Sequence, residues 1–344
     1  MTAAPGPSGA VRRATDALDR AVYCLDRSLA PRPKIKAFRT ARTVIADLDD
    51  ATLDGLVSAG SVTSLEGIGR STGSVIIDAV TRATGGYLDR LDTATTVTIG
   101  EGATLRPMLR GDCHLHTTWS DGGASIREMA VSARSLGHEY LVITDHSPRL
   151  TVAHGLSPER LRQQREEIDR VQAELPDIRI LRGTEVDILE DGSLDLPDDI
   201  LADLDVVVAS VHSKLAMPSA EMTPRMVRAV ANPHVDILGH CTGRQIVGTG
   251  RAPSRFDADM VFAACARFGT AVEINCRPER QDPPDDLLAI ALEWDCRVTI
   301  DTDAHAPGHL EWQASGCDKA VAHGIAPERI LNTRSADDLL AALG

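Results

Sequence analysis

The 344-residue sequence is poor in aromatics, at 3% against 43% hydrophobic residues overall, and its length and composition suggest one or two globular units able to bury a proper core. No C-x-x-C pair occurs among Cys24, Cys113, Cys241, Cys265, Cys276, Cys296 and Cys317, and their number is odd. Both facts argue against a disulfide framework and against a thiolate zinc knuckle, so these cysteines are expected to be reduced and mostly buried. No segment supplies the roughly 18 uninterrupted apolar residues needed to cross a bilayer, and the opening MTAAPGPSGAVRR has no apolar core of signal-peptide length. The expected compartment is the cytoplasm, with no membrane partner.

Positive charge is also scarce. The formal net charge of −14 argues against nucleic acid as a partner for the chain as a whole. Its distribution is uneven: residues 1–95 carry 12 basic and 11 acidic side chains, a net +1, whereas residues 96–344 carry 24 and 39, a net −15. Within the first part, Arg27, Arg32, Lys34, Lys36, Arg39 and Arg42 form a run without an acidic residue. It is a candidate phosphate-facing edge, with a solvated helix face as the plainer alternative.

What is present falls into two textures. Over residues 11–92 apolar positions recur at helical spacing, as in ATDALDRAVYCLDRSLA and KAFRTARTVIADL, with no strand-like alternation between them. In LEGIGRSTGSVIIDAV, Gly67 and Gly69 bracket Ile68 between two helical patterns, and a tight turn there can present backbone N–H groups at a helix start. This stretch resembles the helix-hairpin-helix DNA-binding motif, and its surroundings look like the small amino-terminal domain of family X DNA polymerases. The resemblance implies DNA contacts from Gly67, Gly69, Lys34, Lys36 and Arg39. The competing reading is a helix–helix turn with a packing role alone. Relatives that cleave abasic sugars form a Schiff base on a lysine of the second hairpin helix, but Ser71 and Val75 occupy the matching turns, and no lysine lies between Lys36 and Lys214.

After a polar connection, set at residues 96–109, short apolar runs alternate with amphipathic helical patterns. The runs DCHLH, YLVITDH, IRILRGTEV, DVVVASVH, VDILGH, TAVEIN and RVTIDTD predict seven parallel strands with crossover helices, a distorted (β/α)7 barrel over residues 110–344 behind the all-α domain of residues 1–95. In such barrels chemistry gathers at the carboxyl ends of the strands. The polar residues follow that rule. His114 and His116 stand two apart, a spacing that directs both imidazoles to one side of a strand. Asp121 follows in the next loop, and His146, Glu185, His212, His240, Asp303 and His305 fall at later strand ends. Mixed imidazole and carboxylate donors suit Zn2+, Mn2+ or Fe2+ and disfavour Ca2+, which prefers oxygen alone. Asp145 and Asp301 are candidates to orient ligand imidazoles, or else to cap helices. Cys113 and Cys241 flank ligand positions but point to the opposite side, as core residues.

The ordered set HLHTTWSDG, ITDHS, GTEVDIL, ASVHS, ILGH, EIN and DTDAH resembles the PHP domain, named for polymerase and histidinol phosphatase. EYLVITDHSPRL, GLSPERLRQQ, DGSLDLPD and ILGHCTGR are similar to the version at the carboxyl end of bacterial family X polymerases, here with only a linker of about 15 residues where a central nucleotidyl-transferase domain would stand. The resemblance implies a trinuclear site: one metal on His114, His116, Glu185 and Asp303, a second on Glu185, His212 and His240, and a third on Asp121, His146 and His305, with Glu185 bridging. It makes Glu185 and Asp303 the central catalytic residues. Three dications against three carboxylates would leave the pocket positive, able to draw phosphate into an acidic protein. Arg244 and Arg277 could fork onto that phosphate, and Lys214 could act as a point charge. The leading expectation is a metal-dependent phosphoesterase acting on DNA, as a 3′-5′ exonuclease or a nuclease that processes 3′ ends and abasic sites. A small-molecule phosphatase, such as one for histidinol phosphate, is the alternative within hydrolysis. A non-catalytic DNA-binding or assembly module is the alternative outside it.

Overall fold

The structure is a computed structural model describing residues 9–343, so the first eight residues of the stretch read for a targeting segment lie outside it. It divides into two compact units, Met1–Val97 and Thr98–Gly344.

The first unit is all helical: α1 (Ala10–Arg27), α2 (Arg32–Ala46), α3 (Asp50–Ser58), α4 (Arg70–Thr81) and α5 (Tyr87–Thr95). Ala14, Leu18, Ala21 and Leu25 recur every three or four residues along α1. They form one buried stripe that meets Phe38, Ala41 and Ile45 of α2 and Val75 and Ile76 of α4. Asp49 caps α3 by accepting from Thr52 N at 2.8 Å. Between α3 and α4 the backbone turns at Gly67, whose φ of +86° is left-handed and where an added Cβ would stand 3.0 Å from Thr40 Cγ2.

The second unit holds seven strands in sequence order, every neighbouring pair parallel. They are β1 (Gly111–Leu115), β2 (Tyr140–Ile143), β3 (Arg179–Asp187), β4 (Val206–Ser210), β5 (Ile237–Leu238), β6 (Ala271–Asn275) and β7 (Val298–Asp301). Helices α6 (Ile126–Ser135), α7 (Pro158–Glu174), α8 (Asp198–Leu201), α9 (Ser219–Val230), α10 (Ala258–Phe268), α11 (Asp285–Glu293), α12 (Gln313–Ala322) and α13 (Ala336–Leu343) intervene or follow. Runs such as VVVAS are apolar without alternation because helices cover the outside of the sheet while side chains fill its inside. This is the (β/α)7 barrel read from the sequence, nearly closed. Its seam between β1 and β7 is made largely by side chains. Leu115 and Ala304 form a single parallel bridge, while Asp301 Oδ1 accepts from Cys113 N at 2.8 Å and Asp112 Oδ2 from Thr302 Oγ1 at 2.6 Å. Among the described residues, no helix is long and apolar enough to cross a membrane.

Candidate metal centre

Only His114 and Glu185 of the nine expected ligands lie within strands. The other seven stand in the segments just beyond strand ends, so the parallel arrangement delivers all nine to one mouth of the barrel. Glu185 is at the centre and 1% exposed. Its Oε1 lies 2.8 Å from His240 Nε2 and 3.2 Å from His212 Nε2, and its Oε2 lies 2.8 Å from His146 Nδ1 and 3.4 Å from His114 Nε2. His116 Nε2 stands 3.2 Å from His114 Nε2 and 3.4 Å from Asp303 Oδ1, so the His-x-His pair does converge. Asp121 Oδ1 is 3.3 Å from His305 Nε2 and 3.5 Å from His146 Nε2.

Ligand atoms fall into four overlapping groups in which all members lie within 4.8 Å of one another: His116, Asp121, His146 and His305; His114, Glu185 and His240; His114, His116 and Asp303; and His146, Glu185 and His212. The cluster fits a site for more than one metal ion. The overlap departs from the allocation the resemblance implies at three points: His116 also approaches the Asp121 group, His146 groups with Glu185 and His212, and His240 groups with His114.

The fit to metal rests on unmet bonding. Glu185 Oε2 and His146 Nδ1 are 2.8 Å apart, yet neither is directed to hydrogen-bond the other, and both are buried without a partner. Both ring nitrogens of His212, and Nδ1 of His116 and His240, are in the same condition. Buried polar atoms left unpaired are costly, and six imidazoles aimed at three carboxylates from contact distance need an acceptor of lone pairs between them. The rings crowd as well, His116 lying 4.3 Å between centroids from both His146 and His305.

Charge is strongly perturbed here. Burial opposes ionisation of Glu185 but is outweighed by His212, His114 and His146, which hold its carboxyl well below the usual range. Burial of Asp303 is likewise outweighed, by Arg277 and His116. His212 is raised to about 9 because Glu185 and Asp187 overcome its burial, whereas His240 is lowered to about 4 by burial and by Arg280. Asp121, at 32% side-chain exposure, and His305, at 17%, mark the side of the cluster that opens to solvent.

Three further residues complete the geometry, none of them singled out from sequence. Glu273 on β6 is fully buried, its Oε1 2.6 Å from His114 Nδ1 and its Oε2 accepting from His240 N at 2.5 Å. It orients two imidazole-bearing segments at once. A carboxylate in the middle of the apolar run TAVEIN was the available signal. Asp187 lies 3.4 Å from His212 Nδ1, and its place two residues after Glu185 on β3 could have been read by the same strand period that paired His114 with His116. Arg280 Nε reaches Asp303 Oδ2 at 3.2 Å, beside Arg277, whose Nη1 is 3.5 Å from Asp303 Oδ1 and 2.9 Å from His305 Nδ1.

Other expectations land elsewhere. Asp145 touches no imidazole: it accepts from Thr117 N, Thr117 Oγ1, Ser120 Oγ and Gln164 Nε2 at 2.5 to 2.8 Å and so shapes the loop that carries Asp121. Asp301 is spent on the β1–β7 seam and on Asn332 Nδ2, at 2.9 Å. Arg244 donates to the carbonyls of Arg280 and Gln281, which ties its fork to backbone. Lys214 is exposed at φ +54°, its carbonyl accepting from Met217 N at 2.8 Å and its side chain making no hydrogen bond or ion pair among the described residues. All seven cysteines are free and buried, Cys113 and Cys241 included, and burial pushes the thiols of that pair well up.

In the helical unit the basic run is less free than its sequence implies, because α1 and α5 supply the missing acids. Arg27 is buried against Asp92 at 2.7 Å, Arg39 faces Asp26 at 3.5 Å and Arg42 faces Asp19 at 3.2 Å. Arg32, Lys34 and Lys36 stay exposed, with no ion pair among the described residues. Gly69 caps α4, and its N–H already donates to Thr72 Oγ1 at 2.9 Å.

Residues 112–248 match a family described as PHP domain. The chain is 43% identical over 235 residues to the DNA polymerase/3′-5′ exonuclease PolX of Bacillus subtilis (strain 168), a match covering 68% of this chain and 41% of that protein. The chain thus spans less than half the length of that relative. It is 32% identical over 237 residues to a probable phosphatase of Thermoanaerobacter sp. (strain X514), covering 64% of this chain and 89% of the relative. Among solved structures it is similar to histidinol phosphate phosphatase from Lactococcus lactis, complexed with zinc, L-histidinol and phosphate, at TM-score 0.47 and 19% identity over 63% of this chain and 95% of that one.

Proposed function

The chain belongs to the PHP domain family and is a metal-dependent phosphoesterase, and from that premise we propose that it is a DNA 3′-5′ exonuclease, or a nuclease processing 3′ ends and abasic sites, working through three divalent ions. Zn2+ or Mn2+ suits the six imidazoles and three carboxylates, with Fe2+ next. Bound ions would supply Lewis acidity toward the phosphoryl oxygens and the attacking water. The protein's own part is positional. Glu185 would bridge ions from its two oxygens, Asp303 and His116 would complete the inner wall, and Asp121, His146 and His305 would hold the solvent side. Glu273 fixes the ring of His114, and Asp187 stands 3.4 Å from that of His212. Arg277 and Arg280 bring two guanidinium groups to the Asp303 edge, where an incoming phosphate would meet them. No cysteine serves as nucleophile, since all seven are buried; unbridged, they also suit a reducing compartment, the cytoplasm.

The observation that carries DNA over a small ester is the 43% identity to a polymerase/exonuclease, with exposed Arg32, Lys34 and Lys36 on the helical unit in support. The 32% identity over 89% of a probable phosphatase favours a second reading, a phosphatase for small phosphomonoesters. Purified protein with Mn2+ should shorten single-stranded or 3′-recessed DNA, and His114→Ala should abolish this. Fast turnover of histidinol phosphate with DNA left intact would reverse the order of the two readings. Deleting residues 1–95 should weaken DNA binding and its salt dependence while sparing a small chromogenic ester; unchanged affinity would remove the helical unit from the account.

A further inference from the structure

The segment after β5 forms a narrow hairpin beside the cluster. Gln245 and Arg251 pair antiparallel, donating to each other's carbonyls at 2.9 and 2.8 Å, and Gly248 and Gly250 turn the chain at φ +73° and +68°. Ile246 N donates to Glu279 O at 2.8 Å and Arg251 Nε to Gly243 O at 2.7 Å, so the hairpin is held from both sides. Yet its tip carries two adjacent aliphatic side chains into solvent, Ile246 at 50% exposure and Val247 at 57%. A pinned backbone that presents apolar side chains with nothing over them marks a contact surface.

Two observations say what covers it. Residues 241–256 contain Arg244, Arg251 and Arg255 and no acidic residue, in a protein of net charge −14. The local charge therefore complements a polyanion. The hairpin is also continuous with the cluster, because Glu279, which anchors Ile246, is followed by Arg280, whose guanidinium sits on Asp303 and whose charge is felt by Arg251.

We propose that this hairpin guides a nucleic-acid strand into the metal centre, seating unstacked bases on Ile246 and Val247 while Arg251 and Arg255 face the backbone phosphates. The assignment rests on the DNA reading of the same site and adds to it a determinant of preference for a base-bearing strand over a small ester.

The test uses the full chain with Mn2+ and three substrates: a single-stranded oligonucleotide, the same sugar–phosphate strand carrying abasic sites, and bis(p-nitrophenyl) phosphate. The double variant Ile246→Ser/Val247→Ser should raise KM for the base-bearing strand about tenfold with kcat nearly constant, and leave the other two substrates unchanged. Arg255→Glu should raise KM for both strands and flatten their salt dependence, again sparing the small ester. An equal loss on all three substrates would mean that the hairpin merely props the cluster, and unchanged KM on the base-bearing strand would mean that bases do not rest there. A dimer that the double variant converts to monomer, with KM unmoved, would hand the tip to a second copy. Wild-type protein that cleaves the small ester and neither strand would refute the DNA reading itself, and the hairpin's role with it. That failure is visible before any residue is changed.

Discussion

The helical unit and the barrel both bury charged side chains, and they treat them in opposite ways. In the helical unit a buried charge meets one opposite partner: Arg27 closes on Asp92, and Asp26 faces Arg39. In the barrel mouth, ring nitrogens of His116, His146, His212 and His240 and one oxygen of Glu185 are buried without hydrogen bonds. The first pattern is a fold spending charge on its own cohesion. The second is a fold holding donors for something the chain does not contain. Burial alone would not separate the two; the difference lies in whether the bonding capacity is used.

The largest expected effect breaks that comparison at its centre. Glu185→Gln discards the charge of a carboxylate that lies within 3.4 Å of His114, His146, His212 and His240 together. Phosphoesterase activity should fall by more than the roughly 100-fold that losing an orienting partner costs, and bound metal, read by elemental analysis, should fall below the wild-type content. Full metal content in this variant would show that Glu185 is not a bridge. Next in size is Glu273→Gln, which keeps an acceptor for His114 Nδ1 while discarding the charge: metal affinity should weaken by about 10-fold to 100-fold with the barrel still folded. An unaltered affinity would demote Glu273 to packing. Charge-neutralising Asp92→Asn in the helical unit is the counterpart, and should leave metal content untouched.

The barrel was legible because two periodic signals coincide there. Continuous apolar runs marked the parallel strands, and the nine candidate ligand positions recurred at or beyond their ends, so strand number and the place where these side chains gather could be read from order along the chain. What escaped was set by side-chain direction inside strands. Glu273 is a carboxylate inside a run read as a strand and Asp187 follows such a run directly, and the ring neighbours weighed, beside helix capping, for Asp145 and Asp301 belong to those two. Position along a chain says that a carboxylate is near the mouth; only the pleat says which ring it meets. In the helical unit the apolar period again gave the helices. The basic run proved partly neutralised because its acids, Asp19, Asp26 and Asp92, come from other stretches of the sequence that α1 and α5 fold against it. Charge counted along a segment cannot include partners supplied across a helix pair.

The smallest expected effect concerns stability, and it sharpens the comparison from the helical side. Burial raises the Asp26 carboxyl to about 6, against an ordinary 3.8, with Arg39 pulling it only partly back. The folded state therefore holds this proton more tightly than the unfolded state. The stabilisation is complete below pH about 4 and is lost as pH rises through about 6. Asp26→Asn cannot ionise, so it should remove the pH dependence at the cost of a pairing with Arg39, which is 43% exposed and thus weak. Between pH 5 and pH 8 the wild-type helical unit should lose on the order of 1–2 kcal/mol that the variant keeps. All three tryptophans, Trp119, Trp294 and Trp312, lie in the barrel, so their fluorescence follows that unit while far-ultraviolet circular dichroism follows both. The variant should shift the dichroism transition at pH 8 and leave the fluorescence transition in place. A shift in both would mean that the two units unfold together, and a shift in neither would mean that Asp26 is solvated well enough to ionise freely.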